Sequence, residues 1–201
     1  MLTATAIAVC ASAPLGAQRI ATLEAGVFGQ FTKYDNFTKL DNGVGLGARL
    51  GVIFCQRVEL EYSAEFTPTK STRVGNLSAL NHRLDAIWNQ PVDDHWDFLI
   101  GGGFTGSSYQ TDTTHNHYDS GGNALLGFRY RMNDDWWWRG DALMDFKDPS
   151  DQTPEGQRTE TLGLRFGISR LWGGIRHAPN PCSHAPPPPP PPPPAVAPRP
   201  A

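Results

Sequence analysis

Gly43–Val52 reads GVGLGARLGV, and after a short break Val58–Phe66 reads VELEYSAEF. In the first stretch Val44, Leu46, Ala48, Leu50 and Val52 alternate with Gly43, Gly45, Gly47, Arg49 and Gly51. In the second, Val58, Leu60, Tyr62, Ala64 and Phe66 alternate with Glu59, Glu61, Ser63 and Glu65. A period of two sends successive side chains to opposite faces of a strand, so both stretches are predicted strands with one apolar face and one tiny or charged face. Charge facing lipid costs several kcal/mol near the midplane, so such strands fit a closed sheet with the apolar face in hydrocarbon and the charges enclosed.

The pattern continues in both directions. Leu80, His82, Leu84, Ala86 and Trp88 oppose Asn81, Arg83, Asp85, Ile87 and Asn89, while Ala124, Leu126, Phe128 and Tyr130 oppose Leu125, Gly127, Arg129 and Arg131. Further on, Trp138, Gly140, Ala142, Met144 and Phe146 oppose Arg139, Asp141, Leu143 and Asp145. The last stretch sets Leu162, Leu164, Phe166 and Ile168 against Thr161, Gly163, Arg165, Gly167 and Ser169. Two less regular strands run over Leu23–Lys33 and Trp96–Tyr109, where Phe28 and Gly101–Gly103 blur the facing. The expected fold is all-β: an up-and-down antiparallel transmembrane barrel of about eight strands over residues 19–174. No segment after the N-terminus holds about eighteen consecutive apolar residues, so no transmembrane helix is expected.

Connections and aromatics support the same fold. Short links are expected near Phe54–Gln56, Gln90–Asp94 and Asn133–Asp135, and longer polar loops at Tyr34–Asn42, Pro68–Leu77, Gln110–Gly122 and Lys147–Arg158. Tight periplasmic turns and longer outer loops are the pattern of an outer-membrane barrel. All six tryptophans, Trp88, Trp96, Trp136, Trp137, Trp138 and Trp172, fall at the turn end, where an interfacial girdle is expected. Tyr34, Phe66, Tyr109 and Phe146 are assigned to a second girdle at the other rim.

The ends differ from the middle. Residues 1–18 carry an uncharged apolar stretch with small residues before Gln18, which reads as an export leader, although the usual basic start is missing. Residues 175–201 contain nine consecutive prolines, a semi-rigid polyproline II spacer. With the leader gone, Cys55 and Cys182 remain, both on the periplasmic side of this topology, where a disulfide between them is conceivable. The formal charge of −3 argues against electrostatic capture of nucleic acid.

A leader, about eight alternating strands, outer loops longer than inner turns and a Pro-rich hinge together resemble the N-terminal barrel of OmpA-type outer-membrane proteins. The resemblance covers essentially the whole chain. It implies residence among outer-membrane lipids, a structural role in the envelope, and attachment to peptidoglycan through a C-terminal domain that does not follow here. Thr161, Gly163, Phe166 and Ile168 resemble the terminal signal read by the barrel-assembly machinery.

The enclosed face is predicted to be an ionic network. Glu59, Glu61 and Glu65 are expected to meet Arg49 and Arg83 on the flanking strands, with Asp85, Arg129, Arg131, Arg139, Asp141, Asp145 and Arg165 on the remaining wall. Pairing makes buried charge tolerable, and eight strands enclose just enough room for side chains, so a plugged interior is expected. A gate formed by exchange of partners, giving a small pore or transport barrel, is the alternative. Catalysis on lipid is the less favoured alternative. His82 lies on the lipid face, His95 in a turn, and His115 and His117 near Ser107, Ser108 and Ser120, without a nucleophile motif. The His115–His117 pair supplies too few ligands for a metal site, and no cofactor is expected.

Overall fold

The computed structural model describes residues 21–35, 40–55, 57–71, 75–111, 117–147 and 159–173. The expected leader, the Pro-rich spacer and Cys182 lie outside the described residues. Eight strands form in chain order: β1 (Ala21–Tyr34), β2 (Gly43–Phe54), β3 (Val58–Ser71), β4 (Gly75–Pro91), β5 (Trp96–Thr111), β6 (His117–Arg131), β7 (Trp136–Lys147) and β8 (Thr159–Trp172). Each pairs antiparallel with the next, and β1 pairs with β8 from Leu23↔Trp172 to Tyr34↔Thr161, closing the barrel. Closure leaves no unpaired edge, which is what a sheet surrounded by lipid requires.

The alternation decides which side faces in. On β2, Val44, Leu46 and Leu50 are exposed outward while Arg49 is buried; on β3, Glu59, Glu61, Ser63 and Glu65 are buried while Val58, Leu60, Tyr62 and Phe66 are exposed. The irregular β1 obeys the same parity, with Glu24, Phe28, Gln30, Thr32 and Tyr34 inside and Leu23, Val27 and Phe31 outside. The dry middle of a soluble protein is therefore replaced by a polar one, and the large apolar side chains lie on the outer wall.

Two of the expected loops are largely strand. β3 continues to Ser71 and β4 starts at Gly75, with Lys70 paired to Asn76; likewise β5 reaches Thr111 and β6 starts at His117. The inward face stays buried there, as Thr67, Thr69 and Leu77 show, but those threonines are polar and the outward side carries Pro68 and Lys70, so FTPTKS lacks the apolar-to-polar alternation that marks strands in lipid. Gly75 takes a left-handed φ of 84° at that hairpin, a conformation glycine adopts without steric cost.

Two of the three short turns share a construction. In the turn before β5, the Asp93 carboxylate accepts the backbone N–H groups of His95 and Trp96 at 2.7 and 2.8 Å. Before β7, the Asn133 side-chain oxygen accepts those of Asp135 and Trp136 at 3.1 and 2.9 Å. Val92-Asp-Asp-His-Trp96 and Met132-Asn-Asp-Asp-Trp136 are thus the same side-chain-capped turn. Each turn is also tied to the next hairpin: Asn89 N–H donates to Arg57 O, Arg131 N–H to His95 O, and Leu171 N–H to Asp135 O. Cys55, in the first turn, has a left-handed φ of 49° and is disulfide-bonded.

Candidate functional site

Inward-facing residues of all eight strands converge on the barrel axis, and the resulting filled lumen is the candidate site. At the turn end it is capped by Ile53, Trp137 and Leu171. Above this cap Arg129 Nη2 reaches Glu24 at 2.5 Å and Glu59 at 2.7 Å, with Asp97 at 3.9 Å from Nη1. Arg139 Nη1 lies 2.5 Å from Glu61, 3.3 Å from Glu24 and 3.5 Å from Glu59, while its Nε donates to Asp141 at 3.0 Å. Arg49 bonds the other Asp141 oxygen at 2.7 Å. Ile87, Leu99, Leu125 and Leu143 form an apolar cluster along one wall.

Phe28 lies in the middle, its ring centroid 4.7 Å from the Arg49 guanidinium carbon and 4.5 Å from that of Arg165. The quadrupole of the ring attracts both cations, so one aromatic holds two like charges that would otherwise repel. Arg165 donates its Nε to Gln30 at 2.6 Å and lies 3.8 Å from Glu65. Toward the loop end Arg83 grips Asp145 through Nε and Nη2 at 3.0 and 2.7 Å and Glu65 through Nη1 at 3.0 Å. Thr67 and Thr32 also donate to Glu65.

The partners differ from those expected of Glu59, Glu61 and Glu65. Glu65 meets Arg83, but Glu59 and Glu61 meet Arg129 and Arg139 of the opposite wall, and Arg49 pairs with Asp141. Register is the reason. The direct neighbours of Glu59 are Ile53 and Ile87, and those of Glu61 are Gly51 and Asp85, so no base stands beside either acid. A guanidinium on a long stem spans the narrow lumen instead. Asp85 is buried and takes a hydrogen bond from Asn123 at 2.8 Å, with no cation within 4.0 Å among the described residues. Arg131 is half-buried at the turn end of β6.

Three aromatics assigned to girdles are inside. Tyr34 and Trp137 are buried, 4% and 1% exposed, and Tyr109 shares the inward parity of Thr105 and Ser107, its hydroxyl 3.3 Å from Lys147 Nζ. Position near a rim suggested the girdle, but the two-residue period sends these three rings to the axis. The inward role of Phe28, and the acceptors Gln30 and Asn123, were missed for a related reason: an isolated aromatic or amide carries no charge signal.

The sequence matches the family described as "Outer membrane protein beta-barrel domain" over residues 1–168. The chain belongs to that family. It is thereby a bacterial outer-membrane barrel. Among solved structures it resembles Neisserial surface protein A, at 10% identity and a TM-score of 0.56, over 75% of this chain and 96% of that one. OprG from Pseudomonas aeruginosa gives 12% identity and a TM-score of 0.53 over 77% and 96% of the two chains. Outer membrane protein W of E. coli gives 11% and 0.51 over 77% and 99%. At these identities the likeness is one of fold. No curated protein matches the sequence.

The outer wall of this outer-membrane barrel has the banding that lipid imposes. Trp88, Trp96, Trp136, Trp138 and Trp172 ring the turn end, with Trp96 tilted against Tyr130 at 4.7 Å and Trp138 edge-on to Phe166 at 5.3 Å. Phe66 and Phe146 are exposed toward the other rim. On β8, Thr161 is buried inside, Gly163 follows the same inward parity, and Phe166 faces out; Ile168 pairs with both Val27 and Trp138. Of the histidines, His82 binds the Tyr62 hydroxyl through Nδ1 at 2.6 Å on the outer wall, and His95 stacks on Tyr130. His115 lies outside the described residues, as does the side chain of His117.

Proposed function

We propose that this protein is a structural, non-catalytic component of the outer membrane: a sealed barrel whose lumen serves as a polar core and not as a conduit. The supporting observation is that Arg129 and Arg139 bridge the lumen to Glu24, Glu59 and Glu61, all five side chains being inaccessible to solvent, directly above the Ile53–Trp137–Leu171 cap. Breaking such pairs leaves uncompensated buried charge, which opposes opening. In this reading residues 1–18 are the export leader and the short turns face the periplasm. The Thr161, Gly163, Phe166 and Ile168 set is read by the barrel-assembly machinery. Residues 175–201 act as a spacer toward a peptidoglycan-binding domain of OmpA type.

The test is planar-bilayer recording of the refolded barrel. Silence across the accessible voltage range is the expected result; sustained unitary steps from the wild-type protein overturn the reading. A gated pore is the second reading, and it is favoured by one observation: Arg83 divides its bonds between Glu65 and Asp145, so it has two partners to exchange. Glu65→Gln then opens steps in an otherwise quiet barrel. The spacer role is tested separately, by reading the frame beyond Ala201 for a periplasmic domain.

A further inference from the structure

Cys55 lies in the turn between β2 and β3, half-buried and with a left-handed backbone, and it is disulfide-bonded. The sequence holds three cysteines, Cys10, Cys55 and Cys182, so the bond has two possible partners. Cys10 falls within the stretch read as the export leader, and a cysteine removed with a leader holds nothing in the mature protein. We propose that the partner is Cys182, and that the bond straps the root of the Pro-rich spacer to the β2–β3 turn. The proposal rests on the leader and spacer roles of the proposed function.

The end of β8 lies where such a strap must start. Register sets Trp172 beside Leu23 of β1 and Leu23 beside Val52 of β2, so the end of β8 and the turn share one rim. Gly173 follows with a left-handed φ of 97°, and a Cβ there would lie 3.3 Å from the Ala21 carbonyl oxygen. Ala21 is itself paired with Phe54, the neighbour of Cys55. Two strand spacings, about 10 Å, therefore separate the end of β8 from the turn. The stretch from Gly173 to Cys182 can extend to about 30 Å, well beyond that separation. Forming the bond takes two protons and two electrons from the thiols; the disulfide of a periplasmic thiol oxidase accepts them by exchange and leaves as a dithiol. The polyproline run starts at Pro186, just past the cysteine, so the bond fixes the stiff segment at its base. A load on the spacer then passes through the sulfurs into the β2–β3 turn. Without the bond it would act on Trp172 and peel β8 from β1, the seam that closes the barrel. The covalent ring also encloses β3 to β8, which restricts the unfolded chain.

The pairing is tested on outer membranes from cells expressing the full chain, with free thiols blocked by N-ethylmaleimide before the protein is denatured and digested with trypsin, unreduced. The expected product joins Leu50–Arg57 to His177–Ala201 and disappears on reduction. Alkylated Cys55 on a chain that has lost its leader overturns the strap and leaves the leader role standing. Leu50–Arg57 joined instead to Met1–Arg19 overturns both, because Cys10 is then retained. The path of the load is tested by pulling the barrel from a bilayer by Ala201 with an atomic force microscope tip. Reduced wild type and Cys182→Ser are expected to release β8 first, in a strand-sized step, and oxidised wild type to show no such step. A β8 step of equal frequency in the oxidised protein overturns the mechanical role; the reduced wild type gives the comparison without any substitution, should Cys182→Ser fail to fold.

Discussion

Arg139 touches four carboxylates, Glu24, Glu59, Glu61 and Asp141, with one guanidinium. Its replacement by Met keeps the stem and removes the charge, leaving those acids to repel one another where water cannot screen them. The expected loss is about 3–5 kcal/mol, read as a lower urea midpoint for unfolding from phospholipid vesicles by tryptophan fluorescence. At the surface the residue-scale effect is gentler and depends on pH. Backbone N–H donation from His95, then Trp96, holds the Asp93 carboxyl below its ordinary 3.8. The folded chain thus takes up that proton less readily than the unfolded chain, so the turn's contribution is complete above the ordinary carboxyl range and is lost as pH falls through the lowered value. Asp93→Asn keeps an acceptor oxygen, as Asn133 does in the sister turn, and removes the titration. Between about pH 5 and pH 2 the wild type should therefore lose more stability than the variant in parallel urea titrations.

Among the elements, complementary sizes on neighbouring strands explain the inward glycines. Phe28 of β1 pairs with Gly47 of β2 and Gly167 of β8, and the position of a Cβ on Gly47 is filled by the Phe28 ring. Gly47→Ala is expected to cost about 1–3 kcal/mol by forcing that ring off its two arginines. Combined with Phe28→Ala, which vacates the ring's space, the glycine substitution should cost less, the remainder coming from the Ala64 carbonyl oxygen 2.7 Å from the new Cβ; simple additivity in the double-mutant cycle would show that the ring and the glycine do not compete. This packing also marks what the sequence could reveal. Alternation in β2, β3, β4, β7 and β8 specified strand, facing and closure because each residue's side depends only on parity. The partners of Glu59 and Glu61 were illegible because they depend on the register around the whole barrel and on how far an arginine reaches across it. Tyr34 and Tyr109 were misplaced where nearness to a rim was weighed above parity. Pro68–Leu77 was read as loop because its inward threonine and outward proline and lysine give no apolar-to-polar alternation, although Thr69 and Leu77 are buried.

Considered whole, the molecule is a shell with its apolar side outward, and its stability depends on the solvent around it. Leu50, 63% exposed in the middle of β2, faces hydrocarbon. Leu50→Arg is expected to lower folding stability in bilayers by about 2–4 kcal/mol, where a surface leucine of a water-soluble protein would tolerate the change. Vesicle urea titrations measure it; an unchanged midpoint would mean that lipid does not contact this wall.

The ionic contacts across the axis join residues far apart along the chain: Arg49 with Asp141 over 92 positions, Arg129 with Glu24 over 105, Arg83 with Asp145 over 62. No single hairpin contains both members of such a couple. An unfinished sheet therefore keeps its acidic and basic rows hydrated, and it cannot shed that water until the first and last strands meet. Sealing of the interior is thus tied to closure of the sheet, and non-local pairings of this kind place it late in assembly.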